Sequence, residues 1–160
     1  MKIVSLNSDH LSKPFSTSEQ ETTQFWYERA LPEQEKWRCG CTKVLIADDE
    51  QLIGYYTLAM QTINLRYGEV GYPKDRKVTS ILIGQFAVNK IFEGKGFSKI
   101  LFKNSIKEII EVAKHIGVYV IVVDPVSDKL VSFWEKLGFK RFEGSSLRMV
   151  YPMEVILSIN

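Results

Sequence analysis

Hydrophobic positions change their period several times along this chain, and each change predicts an element. In "TSEQETTQFWYERALPEQEKW", from Thr17, Phe25, Trp26 and Ala30 recur at helical spacing behind an acidic first turn. Pro32 ends that helix or begins a second short one. The period then shortens: "TKVLIADDEQLIGYYTLAMQTINL" crowds β-branched and aromatic residues into two arms around a polar turn at Asp48 to Gln51, which predicts a hairpin. "RYGEVGYPKDRKVTS", Arg66 to Ser80, is rich in turn residues and charge and reads as a long loop. "ILIGQFAV", Ile81 to Val88, is apolar enough for a strand buried on both faces.

The helical period returns after a glycine-containing turn. Phe97, Ile100, Leu101, Ile106, Ile109, Ile110, Ala113 and Ile116 predict a long amphipathic helix, with Gly117 as its C′ residue. "VYVIVVDP" is a further buried strand stopped by Pro125, and "SDKLVSFWEKLGF" a short helix closed by Gly138. Two last strands fall near "FKRFE" and "LRMVYPM". The order helix, hairpin, strand, helix, strand, helix, strands predicts a mixed sheet with helices packed on it, of α/β or α+β character.

Composition narrows this modestly. With 160 residues, 45% of them hydrophobic, the chain suits one domain spanning 1–160. Its 21 Lys+Arg against 19 Asp+Glu leave a net charge of only +2, so charge alone names no partner. Cys39 and Cys41, one residue apart in "RCGCT", are too close for an ordinary structural disulfide, and no further Cys or His pair completes a metal set. No apolar run approaches membrane-spanning length, and the N-terminus lacks the apolar core of a signal sequence. The expectation is a soluble cytoplasmic protein without a metal.

The chemistry concentrates in "EGKGFSK", between the apolar strand and the long helix. A helix N-terminus presents unpaired N–H groups and a partial positive charge. Gly94 and Gly96 let the backbone bend tightly and let an anion approach, and Lys95 and Lys99 add charge at the rim. Phosphate or pyrophosphate is the ligand this suits. The spacing fails as a P-loop, G-x-x-x-x-G-K-[ST], and as a dinucleotide fingerprint, since Lys99 stands where a third glycine belongs.

The whole run "ILIGQFAVNKIFEGKGFSKILF", followed by "VVDP" and "FWEKLGF", resembles the GNAT (GCN5-related) family of acetyl-coenzyme A-dependent N-acetyltransferases. The spacing "FWYERAL…TKVLIADDEQLIGYYTL…LIGQFAV" looks like the branch containing bacterial toxins that acetylate the amino acid on charged tRNA. That resemblance implies a central mixed, mostly antiparallel sheet with a splayed parallel strand pair and flanking helices. It implies that Glu93, Gly94, Lys95, Gly96, Phe97, Ser98 and Lys99 form the pyrophosphate turn of acetyl-CoA. Phe86, Ala87 and Val88 would end the strand that pairs with the pantetheine arm, and the Val88 amide would polarise the thioester carbonyl. Asp124, Lys129, Phe133, Trp134 and Lys136 would flank other parts of the coenzyme.

Three positions depart from the family pattern. Glu93 replaces Gln or Arg and is expected to point outward; Ser98 replaces a Gly or Ala and stays small. Trp134 stands where many members have a Tyr that protonates the leaving thiolate, and an indole N–H is no acid near neutral pH. Tyr119 and Tyr151 are candidate substitutes. No general base is identified: His10 and His115 are isolated, and Glu69, Asp75 and Glu135 read as solvated charges.

The expected activity is acetyl transfer from acetyl-CoA to a primary amine on a small molecule, peptide or aminoacyl group. The alternative is a non-catalytic coenzyme A-binding sensor or partner-binding domain. Arg66, Lys74, Arg76 and Lys77 could gather on one loop toward a charged tRNA, but the near-neutral net charge argues for a smaller acceptor. A homodimer is compatible with the sequence, and a membrane partner is not expected.

Overall fold

Seven strands form one sheet in the order β1-β2-β3-β4-β5-β7-β6. They are β1 (Lys2–Ser5), β2 (Cys41–Ile46), β3 (Leu52–Leu65), β4 (Arg76–Val88), β5 (Val120–Val123), β6 (Lys140–Arg141) and β7 (Met149–Pro152). Among the described residues six α-helices flank them: α1 (Ser8–Leu11), α2 (Gln20–Glu28), α3 (Ala30–Glu35), α4 (Phe97–Ala113), α5 (Asp128–Lys136) and α6 (Met153–Ile159). The structure, a computed structural model, describes residues 1–65, 76–142 and 147–159. The sheet is mostly antiparallel, and β4–β5 is its parallel pair, as the expected mixed α/β architecture requires.

The chain divides into two compact units. The first comprises Met1–Ala59 and Gly84–Ile109. Its β2–β3 hairpin is in register from Cys41↔Leu58 to Leu45↔Gly54, then shifts to Ile46↔Leu52, so Ile53 is a bulged residue. One cluster of this unit packs Phe15, Phe25, Trp26 and Ala30 against Val44, Ile46, Leu52 and Tyr55. The other packs Leu101 of α4 on Leu45, Ile53 and Tyr56. A polar clamp reinforces it: the buried Tyr56 hydroxyl donates to Glu108 at 2.6 Å, and Lys43 reaches the same carboxylate at 3.3 Å. Burial and the Glu108 charge push the Tyr56 phenol pKa upward, so it stays a donor.

The small helix α1 carries a pH-sensitive cap. Asn7 accepts from the Asp9 amide at 3.0 Å, and Nδ1 of the buried His10 accepts from the Asn7 amide at 3.0 Å. That bond requires a neutral ring. Burial lowers the His10 pKa below 6.5, and Lys13 reinforces the shift against the opposing pull of Asp9 and Glu50. The sign follows: the unfolded chain binds the proton more readily, so this contribution is fully present above pH 6.5 and is lost as pH falls from there through the lower folded value. Urea unfolding across that range should show stability falling with acidity, and His10→Ala should flatten that part of the slope. An unchanged slope would mean that His10 binds its proton equally readily in the folded and unfolded chain.

The second unit comprises Met60–Ile83 and Ile110–Asn160. Its core sets Ile63 and Val78 against Val120, Val122 and Val150. Ser80–Ile83 pair in parallel with Val120–Val123, and β5 continues into antiparallel pairing with β7. Gly138, at φ +107°, follows the C-cap of α5 as expected.

Several boundaries differ from the sequence reading. Residues 76–80 belong to β4 rather than to a loop, so Arg76 and Lys77 are strand residues. Arg66, Glu69, Lys74 and Asp75 lie outside the described residues. The long helix ends at Ala113, and Gly117 has no positive φ, so it is not the left-handed cap. Ala30 opens α3 instead of continuing α2, with Pro32 in the first turn where its missing N–H costs nothing. Short β1, α1 and α6 carried too few periodic positions to be read.

Candidate functional site

The strand-to-helix turn in the first unit is shaped by its glycines. Gly94 and Gly96 have φ of +74° and +84°, a region costly for other residues, and among the described residues no atom beyond the chain neighbours lies within 4 Å of where either Cβ would be. The backbone is thereby bent and its outer side left open. The amides of residues 94–98 have no acceptor among the described residues, and the first bond at this end of α4 is from the Lys99 amide to the Gly96 carbonyl at 3.1 Å. Lys95 and Lys99 are exposed beside these amides, and Lys95 Nζ lies 5.4 Å from the Phe92 ring centre. Donors, charge and open space fit a pyrophosphate.

Glu93 is exposed, and Ser18 Oγ donates to its two carboxylate oxygens at 3.0 and 3.3 Å. Phe97 and Ser98 are half-buried, Phe97 standing edge-on to Phe92 at 5.7 Å.

The end of β4 supplies a donor. The Gln85 amide donates to Thr57 Oγ1 at 2.8 Å and the Asn89 amide to the Ile53 carbonyl at 2.7 Å, both toward β3. Alternation along the strand therefore turns the Val88 N–H to the opposite edge. Pairing of β4 with β5 ends at Ile83↔Val123, and among the described residues Val88 has no ladder partner on that edge. Phe86 and Val88 contribute side chains to the cluster beneath α4, while Ala87 is buried on the other cluster.

Asn89 and Gly54 lock this strand end, and sequence reasoning missed both. Asn89 is buried, and its Nδ2 donates to the Leu52 carbonyl at 2.9 Å and to the Pro14 carbonyl at 3.2 Å. Its signal was a polar residue closing an apolar strand. Gly54 lets the strands close up: a Cβ there would lie 2.5 Å from the Ala87 carbonyl oxygen and 3.2 Å from Val88 Cα.

In the second unit, Trp134 is buried in an aromatic row with Phe133 (5.1 Å), Phe139 (5.1 Å) and, beyond Phe139, Tyr151 (5.3 Å). Asp124 holds Arg148 through two bonds of 2.7 and 2.9 Å, which raise the Arg148 pKa. Lys129 and Lys136 are exposed on α5, and Glu135 lies 3.7 Å from Arg141. Tyr119 packs against the Val120 cluster, and Tyr151 is half-buried. His10 is committed to its cap and His115 is exposed beyond α4. Both cysteines are free and exposed. Among the described residues no group of three or more His, Cys, Asp or Glu side chains is placed to hold a metal, and no helix is long and apolar enough to span a membrane.

A strand that runs past its parallel neighbour into a glycine turn and a long helix is the frame of an acyltransferase fold. The profile of the acetyltransferase (GNAT) family matches residues 7–139, and the chain belongs to that family of acetyltransferases. Solved structures agree in fold. AtaT complexed with acetyl-methionyl-tRNAfMet superposes with a TM-score of 0.83 at 17% identity, covering 99% of this chain and 98% of that one. AtaTR bound with AcCoA gives 0.85 at 18% identity, covering 99% and 96%. A Tyr→Phe mutant of KacT gives 0.85 at 22% identity, covering 99% and 98%.

Proposed function

We propose that residues 1–160 act as one domain transferring the acetyl group of acetyl-CoA directly to a primary amine. The observation that carries this reading is the Val88 N–H, turned away from β3 and without a ladder partner among the described residues, in the same unit as the open amides of residues 94–98. In this reading those amides, with Lys95 and Lys99, hold the pyrophosphate, and Val88 donates to the thioester carbonyl oxygen as negative charge builds on it. Acetyl-CoA supplies an activated acyl carbon. The unprotonated acceptor nitrogen forms the new C–N bond, the C–S bond breaks, the sulfur leaves with the electron pair, and the proton the nitrogen sheds passes to water or to the departing thiolate.

Trp134 acts as an apolar wall and donates no proton. A thiol with a pKa of about 8.5 leaves tolerably as thiolate, so transfer proceeds without an acid at this position. Asp124 serves the second unit through Arg148. Incubating the protein with acetyl-CoA and a panel of small amines, peptides and aminoacyl-tRNAs, with thiol release and product mass as readouts, tests the reading. Release coupled to one acetylated acceptor is expected. Tight coenzyme binding with no acetylated product from any member would instead assign a coenzyme-binding role.

A further inference from the structure

A strap from the N-terminal region lies along the strand-to-helix turn. Asn89 Nδ2 donates to the Pro14 carbonyl at 3.2 Å, the Lys90 amide to the Ser16 carbonyl at 2.8 Å, and Ser18 Oγ to the Glu93 carboxylate at 3.0 and 3.3 Å. The two segments therefore run side by side in the same direction, 14 beside 89 and 18 beside 93. The first two ties end on backbone carbonyls of the strap and fix its path. The third joins two side chains, and Glu93 immediately precedes the open amides of residues 94–98.

The strap is anchored without Glu93. Phe15 is buried, and the Tyr27 hydroxyl accepts from its amide at 3.0 Å and donates to its carbonyl at 3.1 Å. The Thr17 amide donates to Thr23 Oγ1 at 2.9 Å, and Thr17 Oγ1 donates to the Glu19 carbonyl at 2.7 Å. Ser18 stands between these pinned residues and the start of α2, so its hydroxyl is a post with little freedom. Glu93 is the opposite case, an exposed and flexible side chain that keeps its place only while something holds it. A hydrogen bond to a carboxylate is charge-assisted and stronger than one between neutral groups.

We propose that Ser18 is a positioning residue for the coenzyme: its hydroxyl holds the Glu93 carboxylate off the path of the pyrophosphate. This role rests on the acetyl-CoA reading of the turn. A carboxylate repels a dianionic pyrophosphate, and the cations of the turn must offset that repulsion before they contribute net attraction. Removing the post frees Glu93 to sweep the open side of the turn. A Gln or Arg at position 93, as in the family pattern, would need no such post. The effect is carried by charge, so it follows the Glu93 carboxylate and fades as salt screens it.

Acetyl-CoA titration of the parent protein, Ser18→Ala, Glu93→Gln and the double variant tests this. At low salt Ser18→Ala should bind about three- to fivefold more weakly, the size Coulomb's law in water gives for a unit charge moved a few ångströms beside a dianion. Glu93→Gln should bind as well as the parent or tighter, and in that background Ser18→Ala should change nothing. Ser18→Thr keeps the hydroxyl and should restore affinity. Salt at about 1 M should shrink the Ser18→Ala defect below about twofold. Acetyl-pantetheine, which lacks the pyrophosphate, should bind every variant alike. Parent-like affinity in Ser18→Ala would overturn the proposal. An equal loss in the Glu93→Gln background would do the same, since Ser18 would then be a prop for the strap alone. Ser18-dependent coenzyme binding in a protein that acetylates nothing would leave this role standing and sink the transfer reading. A parent protein that binds no acetyl-CoA would sink both.

Discussion

Val88→Pro should lower the rate of acetyl transfer by about 10²–10³ while leaving coenzyme affinity close to that of the parent protein. Loss of one donor from an oxyanion-type site costs about that much, roughly 3–4 kcal/mol of transition-state stabilisation. The substitution is tolerable because the Val88 N–H is turned away from β3 and makes no ladder bond, whereas Asn89 keeps its bond to Ile53. Val88→Ala is the control: it trims a half-buried side chain but keeps the N–H, and should lose far less activity. Steady-state kinetics with the best acceptor, and coenzyme titration, read both variants. Equal activity in the two would remove Val88 from the mechanism.

Gly54→Ala is the second large effect, and it acts on stability and rate together. Its Cβ would sit 2.5 Å from the Ala87 carbonyl oxygen and 2.9 Å from Leu101 Cδ1. The leucine tip can turn aside, but the carbonyl is backbone, so β3 and β4 must separate or the side chain cannot fit. Overpacking of this kind costs about 1–3 kcal/mol, and each kcal/mol lowers the melting temperature of a chain this size by about 2–4 °C. The strain falls on the segment that aims Val88, so kcat should drop beyond what unfolding explains at the assay temperature. A variant that melts with the parent protein would show that the strands are not locked there.

Both expectations depend on contacts that link residues far apart in the chain. Gly54 read from sequence only as part of a hairpin arm, because nothing near it announces the backbone of residues 87–88 crossing at van der Waals range. Asn89 gave a weak local cue, yet its partners are the carbonyls of Leu52 and Pro14. The glycine turn was legible because its requirements are local: positive φ at two positions, charge beside them and an apolar strand before them. Trp134 was legible as a departure from a family pattern, and its aromatic surroundings support the reading of it as a wall.

Charge shows the same division. A net +2 named no partner, since a sum over the chain says nothing about where charges stand. The folded protein ties the acids near α4 to hydroxyl and amine partners and leaves Lys95 and Lys99 exposed.

Sequence alone determined the elements whose signals lie within a few residues: the hairpin, the strand into Val88, the glycine turn, the amphipathic α4 and the capped α5. Periodicity and turn chemistry are short-range, so they survive without knowledge of the fold. Tertiary structure alone decided which way the Val88 N–H points, what locks it and which hydroxyl holds the Glu93 carboxylate. Hydrogen-bond direction, close backbone approach and ion pairing depend on partners brought together only by folding.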